Sequence, residues 1–564
     1  MRGRQVFMEA LRAHGVEKIF GNPGTTENPL LDSLIDYPDI DYVTTLHEGV
    51  AVSAGSFYTQ AANKPAVVNL HVAPGLGNGI GAIFGALKAR SPLVITAGAQ
   101  DTRMRMRSPL LSHDLVAMAK PVTKWSVEPQ SADEIGPIMQ RAFKVAMEAP
   151  AGPVFVALPI NVMEQDSEIG ASTMGHAFDA VTPDAQGIRL LRELFAGASS
   201  PVIVAGDEVA RSGAFHTLVL LAEQLGAPVY NEPLRAQLAF PNNHPSYAGR
   251  VPLEAASTRK TLADHDLVVM IGGVQLEEVW YDEGAPFPDH AKRIQIESTR
   301  AELAVNHRID LGLYGDLAET LALAVAALQE LPSSYKKSAV QRNAEVAERR
   351  QQTQEHAQAS LSKAWDANPM APARALHEVA AALPANSIVV DESITASVEL
   401  ARVFNFAQPG DYFGGRGGGI GQGVAGAIGV AVAQSERTVV ALSGDGSAMY
   451  SIQALWTASH HNLPILFVIL SNREYRVLKH NMDIYRARFK TQSNKPYPNM
   501  DLTHPLLGFT DIAKGYGLTA EQVTDANQIG ERVKALLATG KPALLDILVS
   551  GKDFGMPGAD KSPA

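Results

Sequence analysis

Short apolar runs separated by helix-length segments recur along the whole chain. In the first 170 residues, five such runs have the length of buried strands, at 18–20, 41–45, 66–70, 93–97 and 154–158. Further runs lie at 201–205, 266–271, 387–390, 438–443, 464–471 and 543–548. This alternation is typical of βαβ units, whose strands are parallel. The pattern therefore predicts an α/β fold with three doubly wound parallel-sheet domains.

Changes in composition indicate where these domains begin and end. With 564 residues the chain exceeds a single hydrophobic core. A polar stretch over 166–186 reads as a first linker, and a later stretch is rich in Lys, Arg, Glu and Gln. We expect a first domain over 1–170, a middle domain over 187–335, a linker over 336–370, a third domain over 371–550 and a C-terminal tail over 551–564.

Charge and cysteine content exclude several kinds of partner and of catalytic site. The net charge of −11 has no long acidic runs, which argues against nucleic acid or an anionic membrane as the main partner. The chain has no cysteine, which excludes disulfides, thiolate metal sites and cysteine nucleophiles. Residues 1–11 have the charge pattern of an amphipathic helix, unlike a signal peptide. No apolar run reaches 18 residues, so we expect a cytoplasmic protein without a membrane span.

The strongest candidate for chemistry lies in the third domain. The run at 438–443 ends in Gly444-Asp445-Gly446-Ser447, and the next strand delivers Asn472. Ligands gather at the carboxyl ends of parallel strands, so Asp445 and Asn472 should come together. Their oxygens, completed by backbone carbonyls and phosphate oxygens, suit a hard ion such as Mg²⁺. The glycines let the backbone approach a phosphate closely.

This motif resembles the metal and diphosphate signature of thiamine-diphosphate enzymes of the decarboxylase and acetohydroxyacid synthase type. The resemblance implies pyrimidine, middle and pyrophosphate domains in that order. It implies that the metal ligands are Asp445, Asn472 and the backbone carbonyl of Glu474, with Ca²⁺ as an alternative to Mg²⁺. It also implies that the cofactor contacts Gly444, Gly446 and Ser447. Thr395 stands where relatives place a hydroxyl on the diphosphate.

A second part of the resemblance lies in the first domain. Glu48 directly follows the second strand, where this family has the carboxylate that hydrogen-bonds the pyrimidine ring of the cofactor. For an isolated glutamate, the alternative is a helix-start residue stabilised by the helix dipole. The segments 21–27, 69–71 and 75–78 match landmarks of the benzoylformate decarboxylases. That match implies catalytic roles for His71, before a glycine-rich loop, and for Thr25. Their alternatives are a structural histidine and a helix cap.

Residues 414–421 are rich in glycine and could be mistaken for a dinucleotide fingerprint. No strand leads directly into them and no ribose-binding acid follows about twenty residues later, so we do not expect a nicotinamide site. The resemblance instead implies that Ile420 is the apolar side chain under the cofactor and that the carbonyl of Gly418 meets its amino group. Simple core packing is the alternative for Ile420. FAD is not expected in the middle domain.

The chain also departs from the benzoylformate decarboxylases. Val279 stands where they have a second catalytic histidine, and Tyr281 lies close by. After Asn472 the chain is more cationic and more polar than they are, with Arg476, Lys479, His480 and Asn481. These four residues either face the pocket, which would favour a more polar or anionic substrate, or form a solvated helix face.

Two enzymatic functions follow from the resemblance. The first is decarboxylation of a 2-oxo acid, with carboligation as a further outcome. The alternative is a carbon–carbon lyase or synthase that acts on 2-hydroxy ketones or 2-hydroxyacyl-CoA, or that resembles acetohydroxyacid synthase. A non-enzymatic binding protein would lack Glu48 or Asp445, and both are present. The family places its cofactor between subunits, which implies a homodimer or tetramer.

Overall fold

Three six-stranded sheets form the frame of the protein in a computed structural model. The structure describes residues 1–173, 175, 180–274, 276–491 and 493–552. The first sheet has the order β2-β1-β3-β4-β6-β5, and the third has the equivalent order β14-β13-β15-β16-β18-β17. The middle sheet has the order β12-β11-β10-β7-β8-β9. Parallel strands in three sheets confirm the predicted fold class.

The first sheet and its helices come from the N-terminal part of the chain. Its strands are β1 Lys18–Gly21, β2 Asp41–Thr44, β3 Ala66–Leu70, β4 Leu93–Ala99, β5 Ser126–Val127 and β6 Val154–Pro159. Its helices are α1 Gly3–Ala13, α2 Asn28–Ser33, α3 Glu48–Ala62, α4 Val72–Lys88, α5 Leu115–Ala119, α6 Ile135–Met147 and α7 Ile160–Met163. Strands β3, β4 and β6 are buried along their whole length, which is why they appear in the sequence as continuous apolar runs.

The middle sheet is built in the same way. Its strands are β7 Pro201–Ala205, β8 Val229–Asn231, β9 Tyr247–Arg250, β10 Leu267–Ile271, β11 Lys292–Glu297 and β12 Leu311–Tyr314. Its helices are α8 Ala185–Gly197, α9 Glu208–Arg211, α10 Phe215–Leu225, α11 Ala255–Thr261, α12 Leu317–Gln329 and α13 Ser333–Lys363. The edge strands β9 and β12 are only partly buried, so their sequences carry no continuous apolar run.

The third sheet carries the Gly-Asp-Gly-Ser motif. Its strands are β13 Ile388–Glu392, β14 Tyr412–Gly414, β15 Val439–Gly444, β16 Ile465–Ser471, β17 Thr519–Val523 and β18 Ala543–Leu548. Its helices are α14 Pro372–Ala382, α15 Ser397–Val403, α16 Gln422–Ala433, α17 Asp445–Ala448, α18 Ala454–His460, α19 Arg476–Arg488, α20 Phe509–Gly515 and α21 Ala526–Ala538. The motif therefore begins at the last residue of a buried strand and continues into a helical turn.

The chain divides into two compact units. One comprises segments 1–176, 364–400 and 414–564 and contains most of the first and third sheets; the other comprises 177–363 and 401–413. The limits of the predicted domains stay predictions. Of the predicted tail, only residues 551 and 552 are described. Within the described part of the chain, no helix is both long and apolar enough to span a membrane.

Helices α3 and α16 pack closely within one unit. The close approach is possible because α16 has glycines, which carry no side chain, where it meets α3. A Cβ built at Gly429 would lie 1.9 Å from the backbone oxygen of Ala54, and one at Gly426 would lie 2.6 Å from the Phe57 ring. Both helices are buried along most of their length. Since α3 begins at Glu48 and α16 follows the glycine-rich segment 414–421, this packing fixes the starts of two segments that carry candidate site residues.

Candidate active site

The candidate residues cluster at the carboxyl ends of strands in the first and third sheets. In the first sheet, β2 and β3 lie on opposite sides of β1, and in the third sheet β14 and β15 lie on opposite sides of β13. Such a point of reversal leaves a crevice outside the strand ends, where α/β proteins bind ligands.

Glu48 is the first residue of α3 and is 5% exposed. Two side-chain amides donate to its carboxylate: Asn22 Nδ2 lies 3.2 Å from Oε1, and Asn78 Nδ2 lies 3.0 Å from Oε2. Asn22 follows β1 and Asn78 lies in α4. These amides orient the carboxylate, whose remaining lone pairs can accept a further hydrogen bond.

The predicted glycine-rich loop after His71 is wrong, because Val72–Lys88 is one continuous helix, α4. Gly75 serves close packing rather than a turn. A Cβ built at Gly75 would lie 2.9 Å from Glu48 Oε1 and 3.3 Å from His71 Cβ. Gly75 therefore allows Glu48 and His71 to lie side by side at the start of α4.

His71 pairs with a residue to which the sequence analysis gave no role. Its Nδ1 lies 2.8 Å from Oε2 of Glu27, which is 2% exposed. Glu27 ends a short 3₁₀ turn over Thr25–Glu27. Thr25 is exposed on that turn, so the structure leaves its hydroxyl accessible. The signal for Glu27 in the sequence is weak, because its partner lies 44 residues away.

Asp445 is buried at the end of β15, where backbone groups hold it. Oδ1 accepts from the Gly446 N–H at 2.8 Å, and Oδ2 accepts from the Arg473 N–H at 2.6 Å. Burial raises the pKa of Asp445 to about 6, although these backbone hydrogen bonds favour the ionised form. A bound cation would stabilise the carboxylate further.

Asn472 directly follows β16, as the sequence predicts. Its Oδ1 accepts from the Glu474 N–H at 3.0 Å, in a tight turn where Arg473 has a φ of 63°. The Arg473 N–H in the same turn reaches Asp445, so the two predicted metal ligands are tied to one short segment. The turn thus sets the relative position of Asp445 and Asn472.

One cavity in the third sheet is lined by seven of the predicted cofactor and metal residues. These are Thr395, Gly444, Asp445, Gly446, Ser447, Asn472 and Glu474. They come from the segments after β13, β15 and β16, so the strand ends meet there as parallel-sheet topology requires. The predicted residues Gly418 and Ile420 are not part of this lining and lie in the segment between β14 and α16.

That glycine-rich segment is held by Gln422 at the start of α16. Gln422 Nε2 donates to the carbonyl oxygens of Arg416 at 2.8 Å and Gly419 at 2.7 Å. The N–H groups of Gln422 and Gly423 donate to Glu392 at 2.9 and 3.1 Å. Glu392 is a second residue to which the sequence analysis gave no role, and burial raises its pKa to about 7.

The cationic residues after Asn472 differ in their burial and in their partners. Arg476 lines the cavity. Lys479 is buried and forms ion pairs with Glu474 and, at 2.6 Å, with Asp501. His480 and Asn481 are half-buried in α19. The segment is therefore neither wholly a solvated face nor wholly a pocket wall.

The position of the missing second histidine lies in the other compact unit. Val279 is 60% exposed and Tyr281 is 81% exposed.

The residues present fit a thiamine diphosphate with a hard divalent cation. The cavity offers one buried carboxylate, one amide oxygen and the hydroxyls of Thr395 and Ser447, all of which are oxygen donors. Within the described part of the chain, no group of three or more His, Asp or Glu side chains could hold a metal ion by itself. Oxygen donors of this kind also suit an ion that binds phosphate oxygens.

Comparisons with known proteins indicate the same cofactor. Three family profiles match: Thiamine pyrophosphate enzyme, N-terminal TPP binding domain, at 1–118; the central domain at 188–323; and the C-terminal TPP binding domain at 395–547. Thiamine pyrophosphate is another name for thiamine diphosphate.

Individual relatives cover nearly the whole chain. The benzoylformate decarboxylase of Pseudomonas aeruginosa is 31% identical over 547 residues, which span 96% of this chain and 97% of that protein. The large subunit of acetolactate synthase isozyme 2 of Escherichia coli is 25% identical and covers 97% of this chain and 96% of its own length. A solved structure, the thiamine diphosphate-dependent 4-hydroxybenzoylformate decarboxylase of Rhodococcus jostii RHA1, is 29% identical with a TM-score of 0.84, covering 98% and 99% of the two chains. The chain therefore belongs to the thiamine pyrophosphate enzymes.

Proposed function

We propose that this enzyme decarboxylates a 2-oxo acid of the benzoylformate type, with thiamine diphosphate and Mg²⁺. The observation that carries the proposal is the buried Glu48, oriented by two amides and adjacent to His71. The names of the relatives from P. aeruginosa and R. jostii support the substrate class.

The third sheet would hold the charged end of the cofactor. Asp445, Asn472 and the backbone carbonyl of Glu474 are the proposed ligands of Mg²⁺, or of Ca²⁺ in its place. Gly444 and Gly446 let the backbone approach the diphosphate, and the hydroxyls of Ser447 and Thr395 donate to it. The cavity that these residues line supports this assignment.

When bound, thiamine diphosphate supplies a nucleophilic thiazolium carbon that accepts the electron pair released when carbon dioxide leaves. The proposed task of Glu48 is to hydrogen-bond the pyrimidine ring and so to hold a proton there. Gly418 would accept a hydrogen bond from the amino group of the ring, and Ile420 would support the cofactor from below. His71 would hold or donate a proton at the substrate carboxylate or carbonyl, and Thr25 would orient that carboxylate.

Carbon–carbon bond formation is the second candidate. It is favoured by the acetolactate synthase from E. coli, which matches over nearly the whole chain. The valine at position 279 supports it as well, because slower protonation would leave time for attack on a second carbonyl. Substrates of this alternative are 2-hydroxy ketones or 2-hydroxyacyl-CoA, or those of an acetohydroxyacid synthase-like reaction. A cytoplasmic location and a homodimer or tetramer stay predictions from the sequence.

The deciding experiment measures carbon dioxide release from a panel of 2-oxo acids, including benzoylformate, after reconstitution with thiamine diphosphate and Mg²⁺. Release with formation of the matching aldehyde supports the decarboxylase. Absence of release despite bound cofactor contradicts it, and cleavage of 2-hydroxy ketones would then support the alternative.

Glu48→Gln provides the mechanistic control. The variant keeps a side chain of the same size and should retain the cofactor while turnover falls by at least about a hundredfold, the lower range for positioned proton transfer. Glu17→Gln is the matched control, because Glu17 is an exposed residue of the same domain paired with Lys64. Equal turnover of Glu48→Gln and the wild type would refute the proposed mechanism.

A further inference from the structure

Glu27 contacts His71 in the first sheet, and the proposed mechanism gives no role to this buried glutamate. The side chain of Glu27 is 1% exposed and that of His71 is 23% exposed. One edge of the imidazole thus faces a buried carboxylate while part of the ring stays accessible. In this geometry, Glu27 holds one edge of the imidazole ring and the opposite edge can reach another partner.

Three donors surround the Glu27 carboxylate. Oε1 accepts from the Gly98 N–H at 2.8 Å and from Thr26 Oγ1 at 2.9 Å, and Oε2 lies 2.8 Å from His71 Nδ1. An ionised carboxylate can only accept hydrogen bonds. Nδ1 of His71 is therefore the donor, and Nε2 is the ring nitrogen left for other partners.

Two glycines make room for this pair. A Cβ built at Gly24 would lie 1.9 Å from His71 Nδ1 and 2.6 Å from Glu27 Oε2. A Cβ built at Gly98 would lie 2.2 Å from Glu27 Oε1. Any side chain at either position would displace one partner, so the backbone around the pair is built to let the two groups meet.

The pair lies beside the other polar groups of the first sheet. Glu48 and His71 both lie next to Gly75, whose lack of a side chain lets them approach each other. Tyr42 faces both Glu27 and Glu48, and burial together with these two carboxylates raises the pKa of its phenol, which keeps it neutral. Glu48 and Tyr42 are thus titratable groups close to the pair.

We propose that Glu27 is a positioning residue: it fixes Nδ1 of His71 as a donor and so presents Nε2 to the substrate. This inference rests on the proposed role of His71 at the substrate. Glu27 itself touches neither substrate nor cofactor and acts through the histidine. A purely structural role, in which Glu27 only ties the 3₁₀ turn to Gly98 at the end of β4, makes a different prediction.

A double-mutant cycle separates the two roles. Glu27→Gln lets His71 adopt either tautomer, so kcat should fall by at least about tenfold, since positioned proton transfer contributes roughly 10²–10⁴-fold. KM should change less than kcat. In the His71→Ala background, Glu27→Gln should have almost no further effect, because the group through which it acts is gone. An equal fold loss in both backgrounds would overturn the proposal and indicate a structural role.

Gly24→Ala is the second variant and keeps both partners. Its new methyl group would push the His71 ring away from Glu27, so it should reproduce the kcat loss and lose its effect when His71 is alanine. Glu17→Gln is the charge control and should leave kcat unchanged. If the wild type cleaves 2-hydroxy ketones but releases no carbon dioxide, the same cycle is run on that reaction. Failure of the proposed substrate class is thereby distinguished from failure of the pair.

Discussion

Glu392 should make the stability of the protein fall as pH rises from about 4.5 to about 7. The residue ends β13, is buried, and accepts hydrogen bonds from the N–H groups of Gln422 and Gly423 at the start of α16. Burial raises its pKa from 4.5 to about 7, the neighbouring Asp391 adds to the rise, and the two N–H groups oppose it. Replacement of Glu392 by glutamine removes the titration and retains the size of the side chain.

The magnitude follows from the change in proton affinity. Below about pH 4.5, the carboxyl group is protonated in both states and contributes no pH dependence. Between about 4.5 and 7, the unfolded state loses its proton first, so ionisation favours unfolding and the free energy of unfolding decreases. At about 1.4 kcal/mol per pH unit, the loss reaches about 3 kcal/mol and stays constant above about pH 7.

The assay is thermal or guanidinium unfolding of the cofactor-free protein between pH 4.5 and 8. Relative to the wild type, Glu392→Gln should gain about 3 kcal/mol over this range, even if it starts lower because one hydrogen bond to α16 is lost. Asp445 has a raised pKa as well, but it titrates in both proteins and cancels in the difference. Glu531→Gln, on the exposed side of α21, is the control. Parallel stability curves for wild type and Glu392→Gln would refute the reasoning.

Three further substitutions test the packing and the cavity. Gly429→Ala forces a methyl group against the backbone oxygen of Ala54 and should lower the free energy of unfolding by about 1–3 kcal/mol; an unchanged unfolding midpoint would contradict the packing of α3 on α16. Asp445→Ala should abolish the Mg²⁺ dependence of thiamine diphosphate binding in calorimetry, and an unchanged dependence would remove this residue from the metal site. Lys479→Met removes the nearer of two cations beside the half-buried Glu474 and leaves Arg476 at 4.0 Å, so it should cost about 1–3 kcal/mol of stability in denaturant titrations, whereas a neutral result would mean that Arg476 or water replaces the ion pair.

The main features of the fold and of the diphosphate site could be read from local patterns. Strands buried on both sides must be apolar at every position, so β3, β4, β15 and β16 are visible as runs. Edge strands such as β12 alternate between buried and exposed residues and were not predicted.

The local preference of glycine predicts the wrong conformation for one segment of this chain. A glycine-rich segment after His71 favours a loop by propensity, because glycine destabilises an isolated helix. In the folded protein it is helical, since α4 must approach Glu48 more closely than a side chain at Gly75 would permit. Tertiary packing overrides the local preference at this position.

The sequence alone determined which strands deliver Asp445, Asn472, Glu48 and His71, because each follows an apolar run and parallel strands end at the same edge. Only the tertiary structure decided what surrounds them. Glu27 meets His71 across 44 residues and Gly98 across 71, and no local pattern encodes a contact over such distances. Periodicity reports which face of an element is buried, whereas the partner of a buried polar group depends on how separate elements pack.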